Sequence, residues 1–193
     1  MPQPDPENIL NEIRRLFSEK GSEMYAGEAV SQTEHALQAA YAAEQANESA
    51  ELITAALLHD IGHLLHQHDE NCAEQGIDDL HERIGAAWLK KYFPEAVTEP
   101  IRLHVDAKRY RCATDEAYLS RLSSASVLSL ELQGGPFDRQ GQEYFESNPW
   151  HQEALRLRIW DEEAKIPGYT TPELEYFFTH VQRVLKQQSP EIN

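Results

Sequence analysis

The amino-acid sequence predicts an all-α protein. Apolar residues recur with a helical period through most of the chain, and the short apolar runs lie inside these periodic segments. Start and stop signals separate the segments: "SQTE" has the spacing of a capping box, while Gly134, Gly135 and Pro136 in "QGGPF" interrupt a helix. The chain has 193 residues and shows no internal repeat or low-complexity linker, so we expect one domain over residues 1–193.

The first half of the chain is predicted to contain four helices. They are placed at Pro6–Lys20, from the capping box at Ser31, through "LITAALLHDIGHLLHQH" to about Gly62, and at about Asp79–Tyr92. The polar stretch "HQHDENCAEQGIDD" is a predicted loop before the fourth helix. On that helix, the stripe expected to face the core consists of Leu80, Ile84, Trp88 and Tyr92.

Four further helices are predicted in the second half. They are placed at Glu95–Val105, at Ala117–Leu130, through "EALRLRIWDEEAK" to Pro167, and from Thr171 with Pro172 in the first turn. The last of them has an apolar stripe made of Leu174, Phe177, Phe178, Val181, Val184 and Leu185. These helices complete a helical bundle.

The charge of the chain restricts its partners. Seventeen basic and 33 acidic residues give a net charge of -16, which repels nucleic acid and anionic membrane surfaces. An anionic substrate would therefore need concentrated local positive charge, from metal ions or a few cationic side chains. Only Cys72 and Cys112 are present, and there is no basic-then-apolar leader or long apolar run. We expect a soluble, cytoplasmic protein that binds neither nucleic acid nor membranes.

A carboxylate stands at the end of the most apolar predicted helix. His59 and Asp60 follow an apolar run, and a buried carboxylate needs a cation or a proton nearby. Potential metal ligands also occur at core-facing positions of other predicted helices: His35, His81, His104 and Asp161. Imidazole and carboxylate form the ligand set of iron, manganese and zinc sites. With Asp60 bridging, these six residues suffice for two metals.

The individual histidines also have a simpler interpretation. Taken singly, a histidine on an apolar helix is often a core residue bonded to a backbone carbonyl. His63 follows His59 by four residues, which favours a supporting or substrate-facing role beside the cluster. The remaining histidines are predicted to be solvated at the surface: His66, His68, His151 and His180.

The pattern of His35, the His59–Asp60 pair and Asp161 resembles the H…HD…D signature of the HD-domain superfamily. These are all-helical, metal-dependent proteins, most of them phosphohydrolases. Three longer stretches, "YAGEAVSQTEHALQAA", "HVDAKRY" and "LSSASVLSLELQGG", are similar to the organophosphonate oxygenases of the PhnZ/TmpB type within that superfamily. This similarity extends over nearly the whole chain.

The resemblance implies a mixed-valent Fe(II)/Fe(III) centre that uses O2 as co-substrate. The implied reaction cleaves the carbon–phosphorus bond of 1-hydroxy-2-aminoethylphosphonate to glycine and phosphate, or of its N-trimethyl analogue to glycine betaine. One iron would be held by His35, His59, Asp60 and Asp161. The other would be held by Asp60, His81 and His104.

The resemblance also implies roles around the metals. Tyr25 would occupy the open position of the second iron at rest, and Glu28 would hold the substrate ammonium. The phosphonate would be bound by Lys108 and Ser126, with His63 beside them. The main alternative is an HD-type phosphohydrolase of a nucleotide or small phosphate ester, in which neither a tyrosine cap nor an ammonium clamp is required. A regulatory module without activity is disfavoured because no ligand is missing.

Overall fold

The computed structural model describes residues 6–25, 27–65 and 75–187. These residues form eleven helices and no β-strand, with one isolated bridge between Met24 and Ser31. The predicted all-α fold is therefore confirmed. In chain order the helices are α1 Pro6–Lys20, α2 Gln32–Gln45, α3 Ala50–Leu58, α4 Ile61–Leu65, α5 His81–Leu89, α6 Glu95–Thr114, α7 Glu116–Leu119, α8 Ser124–Leu132, α9 Arg139–Glu146, α10 His151–Glu163 and α11 Leu174–Gln187.

Helix α3 lies at the centre of the bundle. All of its residues except Glu51 are buried, and it packs against α2, α6, α10 and α11. Burial on every side explains why this segment is almost continuously apolar in sequence. Its C-terminal end therefore delivers His59 and Asp60 into the interior of the protein.

The predicted continuation of this helix to Gly62 is wrong. Helix α3 ends at Leu58, His59 and Asp60 form a turn, and α4 starts at Ile61. Gly62 instead permits a close backbone approach, since a Cβ on it would lie 2.0 Å from the carbonyl oxygen of His81. The glycine thus brings the start of α5 against the His59–Asp60 turn.

The predicted core stripe of the fourth helix is also partly wrong. Helix α5 starts at His81, and the preceding Leu80 has a left-handed backbone with φ 52°. Leu80 and Ile84 are 41% and 37% exposed. The face that is buried instead consists of His81, Glu82, Gly85, Ala86 and Leu89. The left-handed residue rotates the start of the helix so that His81 faces inward.

Other helix boundaries also differ from the prediction, and side-chain caps explain three of the helix starts. Helix α6 continues beyond Val105 to Thr114, and the predicted helix Ala117–Leu130 is divided into α7 and α8. Asp115, Ser123 and Asp138 cap the starts of α7, α8 and the unpredicted α9 with their side-chain oxygens. Helix α11 begins at Leu174, three residues after the predicted Thr171 cap.

Several histidines and a polar loop are predicted at the periphery of the fold. His66, His68 and Cys72, with most of the predicted polar loop, lie outside the described residues. His180 is more enclosed than predicted, because its Nε2 lies 2.9 Å from Glu44 Oε1 and its side chain is 14% exposed. No helix among those described is long and apolar enough to cross a membrane.

Candidate metal centre

Six predicted ligands from five parts of the chain meet in the interior. His35 comes from α2, His59 and Asp60 from the turn after α3, His81 from the first residue of α5, His104 from α6 and Asp161 from α10. All six side chains are buried. The turn after α3 stands in the middle of this set.

The two oxygens of Asp60 face two different pairs of histidines. Oδ2 lies 3.5 Å from His35 Nε2 and 3.4 Å from His59 Nε2. Oδ1 lies 3.4 Å from the Nε2 atoms of both His81 and His104. A carboxylate placed in this way has the geometry of a bridging ligand.

Asp161 completes the first half of the cluster. Its Oδ1 lies 3.4 Å from His35 Nε2 and 3.8 Å from His59 Nε2. These three residues form a compact group of potential ligand atoms. A second such group consists of Asp60, His63 and His81, so His63 as well as His104 lies near the second half. His63 Nε2 is 4.0 Å from Asp60 Oδ2.

The opposite ring nitrogen orients each histidine. The Nδ1 atoms of His35, His59 and His104 lie 2.7–2.8 Å from the carbonyl oxygens of Ala164, Ala56 and Ile101. A carbonyl oxygen only accepts, so each Nδ1 carries a hydrogen and each Nε2 is directed to the cluster. Each of these three histidines therefore makes the bond to a backbone carbonyl that an ordinary core histidine makes. That bond uses only Nδ1, and Nε2 is left for the cluster.

The cluster requires positive charge. Both oxygens of Asp60 are buried and have no hydrogen-bond partner among the described residues. The Nε2 atoms of His35 and His59 are 3.1 Å apart, and those of His81 and His104 are also 3.1 Å apart. Two lone pairs facing each other at this distance repel unless a proton or a metal ion lies between them.

The pKa values of the metal-free cluster express the same requirement. Burial lowers the pKa of His35, but the nearby carboxylates of Asp161 and Asp60 outweigh it and raise the pKa to about 9. Burial opposes protonation of His81 as well, yet its bond to Asp79 and the charge of Asp60 raise its pKa to about 9. Without metal, the surroundings of His35 and His81 therefore favour their protonated forms. Metal ions would replace these protons, and the donor set fits them.

Tyr25 and Glu28 lie at the two ends of one turn beside the cluster. The Glu28 N–H donates to the Tyr25 carbonyl at 2.7 Å, and Gly27 has φ +78°, which a residue with a side chain rarely adopts. The Tyr25 ring stacks on His35 at 3.8 Å, and its hydroxyl lies 3.5 Å from Asp161 Oδ1. Burial and the charge of Asp161 raise the Tyr25 pKa well above its ordinary value. The turn thus places Tyr25 against His35 and Asp161, which belong to the first predicted ligand set, whereas the resemblance implied a position at the second.

Glu28 points to the other side of the turn. Its Oε1 accepts a hydrogen bond from Ser123 Oγ at 2.5 Å and lies 3.5 Å from Lys165 Nζ. Ser126, predicted beside Lys108, instead accepts from Lys165 at 3.0 Å, while buried Lys108 donates to Ser129 Oγ at 2.9 Å. Burial lowers the pKa of Lys108 to about 7.

Arg158 and Lys165 were not among the predicted site residues. Arg158 is buried and donates to Tyr118 Oη at 2.8 Å, to Asp161 Oδ2 at 2.5 Å and to Glu162. Its position three residues before Asp161 on a predicted helix was an available signal, because both residues then share one face. Lys165 carried a weaker signal: Glu162 lies three residues before it, but Glu28 and Ser126, the partners that place it at the site, lie on the turn after Tyr25 and on α8. Gln133 ends α8, and its Oε1 is buried without a partner among the described residues.

Asp79 is a further residue that sequence reasoning missed. One of its oxygens lies 2.7 Å from His81 Nδ1, and the other lies 2.7 Å from His63 Nδ1. The rings of His63 and His81 stack at 4.0 Å. The left-handed Leu80 places this carboxylate next to the backbone N–H of His81, at 3.3 Å. Asp79 therefore orients a ligand and its neighbour together.

Replacing Asp79 with Asn should weaken metal binding in the half that contains His81. Hydrogen-bonding partners of metal ligands typically contribute roughly 10–100-fold in affinity, so we expect a loss of about that size in one of two binding steps. Titration of the chelator-treated protein with a divalent metal measures both steps. Asp78→Asn is the control, because Asp78 contacts only the backbone of Leu80 among the bonds described. An equal loss in both steps, or in both variants, would contradict this role.

Comparison with known proteins agrees with this geometry. The HD domain family matches residues 33–160, a range that contains the first five predicted ligands and ends one residue before Asp161. A hydroxymethylphosphonate dioxygenase from Gimesia maris is 44% identical over 182 residues, covering 94% of this chain and 90% of the relative. A [1-hydroxy-2-(trimethylamino)ethyl]phosphonate dioxygenase (glycine-betaine-forming) from Leisingera caerulea is 42% identical over 178 residues, covering 92% and 91%.

The match therefore reaches beyond the helices that carry the ligands. The two alignments include 94% and 92% of this chain and at least nine-tenths of each relative. They are therefore longer than the segment from α2 to α10 that contains the predicted ligands. The sequence-based family prediction is confirmed. With its histidine–aspartate pair at the centre of an all-helical bundle and the family match spanning most of that bundle, this chain belongs to the HD-domain family.

Proposed function

We propose that this protein, as one domain over residues 1–193, is a di-iron oxygenase that cleaves the carbon–phosphorus bond of a 1-hydroxyphosphonate with O2 and releases phosphate. The preferred skeleton is 1-hydroxy-2-aminoethylphosphonate, as the free amine or its N-trimethyl analogue. The observation that carries the proposal is the placement of Asp60, whose two oxygens face separate histidine pairs. The names of the two phosphonate dioxygenase relatives support the same substrate class.

The ligands divide into two sets in this proposal. His35, His59, Asp60 and Asp161 hold one iron, and Asp60, His81 and His104 hold the other. When bound, the irons supply Lewis acidity toward the substrate oxygens and the redox capacity to use O2. Tyr25 shields the ligands from water, because its ring covers His35 and its hydroxyl lies at Asp161.

The side chains around the cluster bind and orient the substrate. A chain of charge -16 binds a phosphonate dianion only where cations are concentrated, and Lys108, Arg158 and Lys165 are brought to one side of the cluster. In the proposal, Lys108, Ser126 and His63 bind the phosphonate oxygens. Glu28 binds the ammonium and fixes which end of the substrate lies toward α8.

Replacing Lys108 with Met should stabilise the metal-free fold and weaken phosphonate binding. The folded-state pKa of Lys108 is about 7 against an ordinary value of 10.5, so burying its charge opposes folding. This cost is fully present below pH 7 and disappears as the pH rises toward 10.5. One pKa unit corresponds to about 1.4 kcal/mol, so we expect a gain of roughly 2–4 kcal/mol at pH 7.

Urea denaturation at pH 7 and pH 10 in the presence of chelator measures this difference. Lys91→Met, at an exposed position, is the matched control and should change little at either pH. A Lys108→Met variant that is less stable than wild type at pH 7 would contradict the assignment of a costly buried charge.

The decisive test of function supplies iron-loaded protein with O2 and each phosphonate. We expect O2 consumption, phosphate, and glycine or glycine betaine in matching amounts, with about two irons per chain and a half-integer-spin paramagnetic signal. Zinc-loaded protein is the control and should be inactive. If no phosphonate consumes O2 and a nucleotide releases phosphate without O2, the phosphohydrolase alternative replaces this proposal.

A further inference from the structure

Lys165 lies between the residues proposed to bind the two ends of the substrate. It follows α10, and its ammonium group lies 3.5 Å from Glu28 Oε1, 3.0 Å from Ser126 Oγ and 3.1 Å from Glu162 Oε1. The contacts with Ser126 and Glu162 are hydrogen bonds, and the contact with Glu28 is an ion pair. Lys165 thus connects the proposed amine-binding residue to a proposed phosphonate-binding residue.

The pair formed by Lys165 and Glu28 is largely enclosed. Their side chains are 12% and 17% exposed, so the two charges are screened less than a pair at the surface. Among the described residues, the other side-chain partner of Glu28 is the neutral hydroxyl of Ser123. Lys165 is therefore the cation that compensates Glu28 when no substrate is bound.

We propose that Lys165 is a specificity-determining residue that stands in for the substrate ammonium at Glu28. This inference rests on the proposed function. A substrate without an amine, such as hydroxymethylphosphonate, leaves the Lys165–Glu28 pair intact and binds beside it. A substrate with an ammonium group must displace Lys165 from Glu28.

The displaced lysine keeps suitable partners. Glu162 and Ser126 remain in contact with its ammonium group, so the charge of Lys165 stays compensated and close to the phosphonate end of the site. The cost of displacement is therefore moderate, and Lys165 sets a balance between substrates with and without an amine. Removing Lys165 leaves Glu28 without a cation, a situation that only an amine-bearing substrate corrects.

The test compares the binding of two phosphonates to wild type and Lys165→Met. Dissociation constants for hydroxymethylphosphonate and 1-hydroxy-2-aminoethylphosphonate are measured calorimetrically on iron-loaded protein without O2. We expect the preference for the amine, expressed as the ratio of the two constants, to rise at least tenfold in Lys165→Met. The ratio is informative because a general loss of phosphonate affinity cancels in it.

Three further variants separate specificity from structure. Lys165→Arg retains the cation and should keep the ratio near the wild-type value, and Lys91→Met, at an exposed position, should leave it unchanged. In a Glu28→Gln background, Lys165→Met should change the ratio by less than threefold, because no carboxylate remains to be compensated. Iron content is measured for every variant, and Lys165→Gln replaces Lys165→Met if the latter does not fold.

The outcomes distinguish this inference from the proposed function. If wild type binds both phosphonates but the ratio in the Lys165 variants stays within threefold, Lys165 only joins α8 to α10 and the inference is overturned. An equally large change in the Glu28→Gln background would also overturn it. If wild type binds neither phosphonate, the proposed function fails instead.

Discussion

Asp60→Asn is expected to lose both metals and to reduce turnover by at least about 10³-fold. Removing a group that merely supports a ligand costs roughly 10–100-fold in metal affinity or activity, and Asp60 faces both halves of the cluster directly. Asparagine has a similar shape, so the loss reflects the charge and the second oxygen rather than a packing defect. The fold should therefore persist without metal.

Metal analysis and turnover of the purified variant test this expectation, with circular dichroism as the check on folding. Asp106→Asn is the matched control, because Asp106 faces Arg109 rather than the cluster. His81→Ala should mainly lose the second metal. A variant of Asp60 that retains one tightly bound metal would show that this carboxylate does not bridge.

Arg158→Met should lower the free energy of unfolding of the metal-free protein by about 3–5 kcal/mol. Breaking a buried ion pair by removing one partner has a cost of this size, because the remaining charge is left uncompensated. Arg158 is buried, and it donates to Asp161 Oδ2 and to Glu162. Burial alone would raise the pKa of Asp161, and the positive charge of Arg158 is the main influence that holds it well below its ordinary value.

The pH dependence of this difference follows from Asp161. The stabilisation from a carboxylate with a lowered pKa is present above its unfolded-state value of 3.8 and is lost as the pH falls through the folded-state value. The gap between wild type and Arg158→Met should therefore narrow below about pH 4. Urea denaturation at pH 7 and pH 3.5 measures it.

Arg139→Met provides the control for a surface pair. Arg139 is 92% exposed and lies 3.0 Å from Glu143, a pair expected to contribute no more than about 1 kcal/mol. Equal destabilisation by the two substitutions would mean that Arg158 contributes only as an ordinary surface charge does.

Helix signals in the sequence were reliable where local chemistry decides the structure. The capping box of α2 lies where the sequence predicts it, because the side chains of Ser31 and Glu34 satisfy the backbone there. Helix α1 ends at Lys20 as predicted, directly before Gly21. The predictions for α3 and α5 failed at the His59–Asp60 turn and at Leu80. At Leu80 the backbone is left-handed, a conformation that costs free energy and persists where the surrounding structure compensates it. His59 keeps right-handed helical dihedral angles, so the interruption after Leu58 is a turn without backbone strain at that residue.

The supporting residues of the site could be predicted only in part. Arg158 shares a helix with Asp161, so its role was accessible from spacing. Lys165 contacts Glu28, which is far away in sequence, and nothing in either local segment identifies the other. The carbonyls of Ala56, Ile101 and Ala164 that orient three histidines carry no signal at all, since every residue type has a carbonyl.

The sequence by itself determined the helical class, the family and the residue types of the candidate metal centre. Those follow from periodicity and from the identity of a few side chains, which do not depend on distant contacts. Only the tertiary structure decided that the two oxygens of Asp60 face different histidine pairs, and that Lys165 compensates Glu28. Such relations are distances between atoms on separate helices, and they exist only once the packing of the bundle has set the position of each helix.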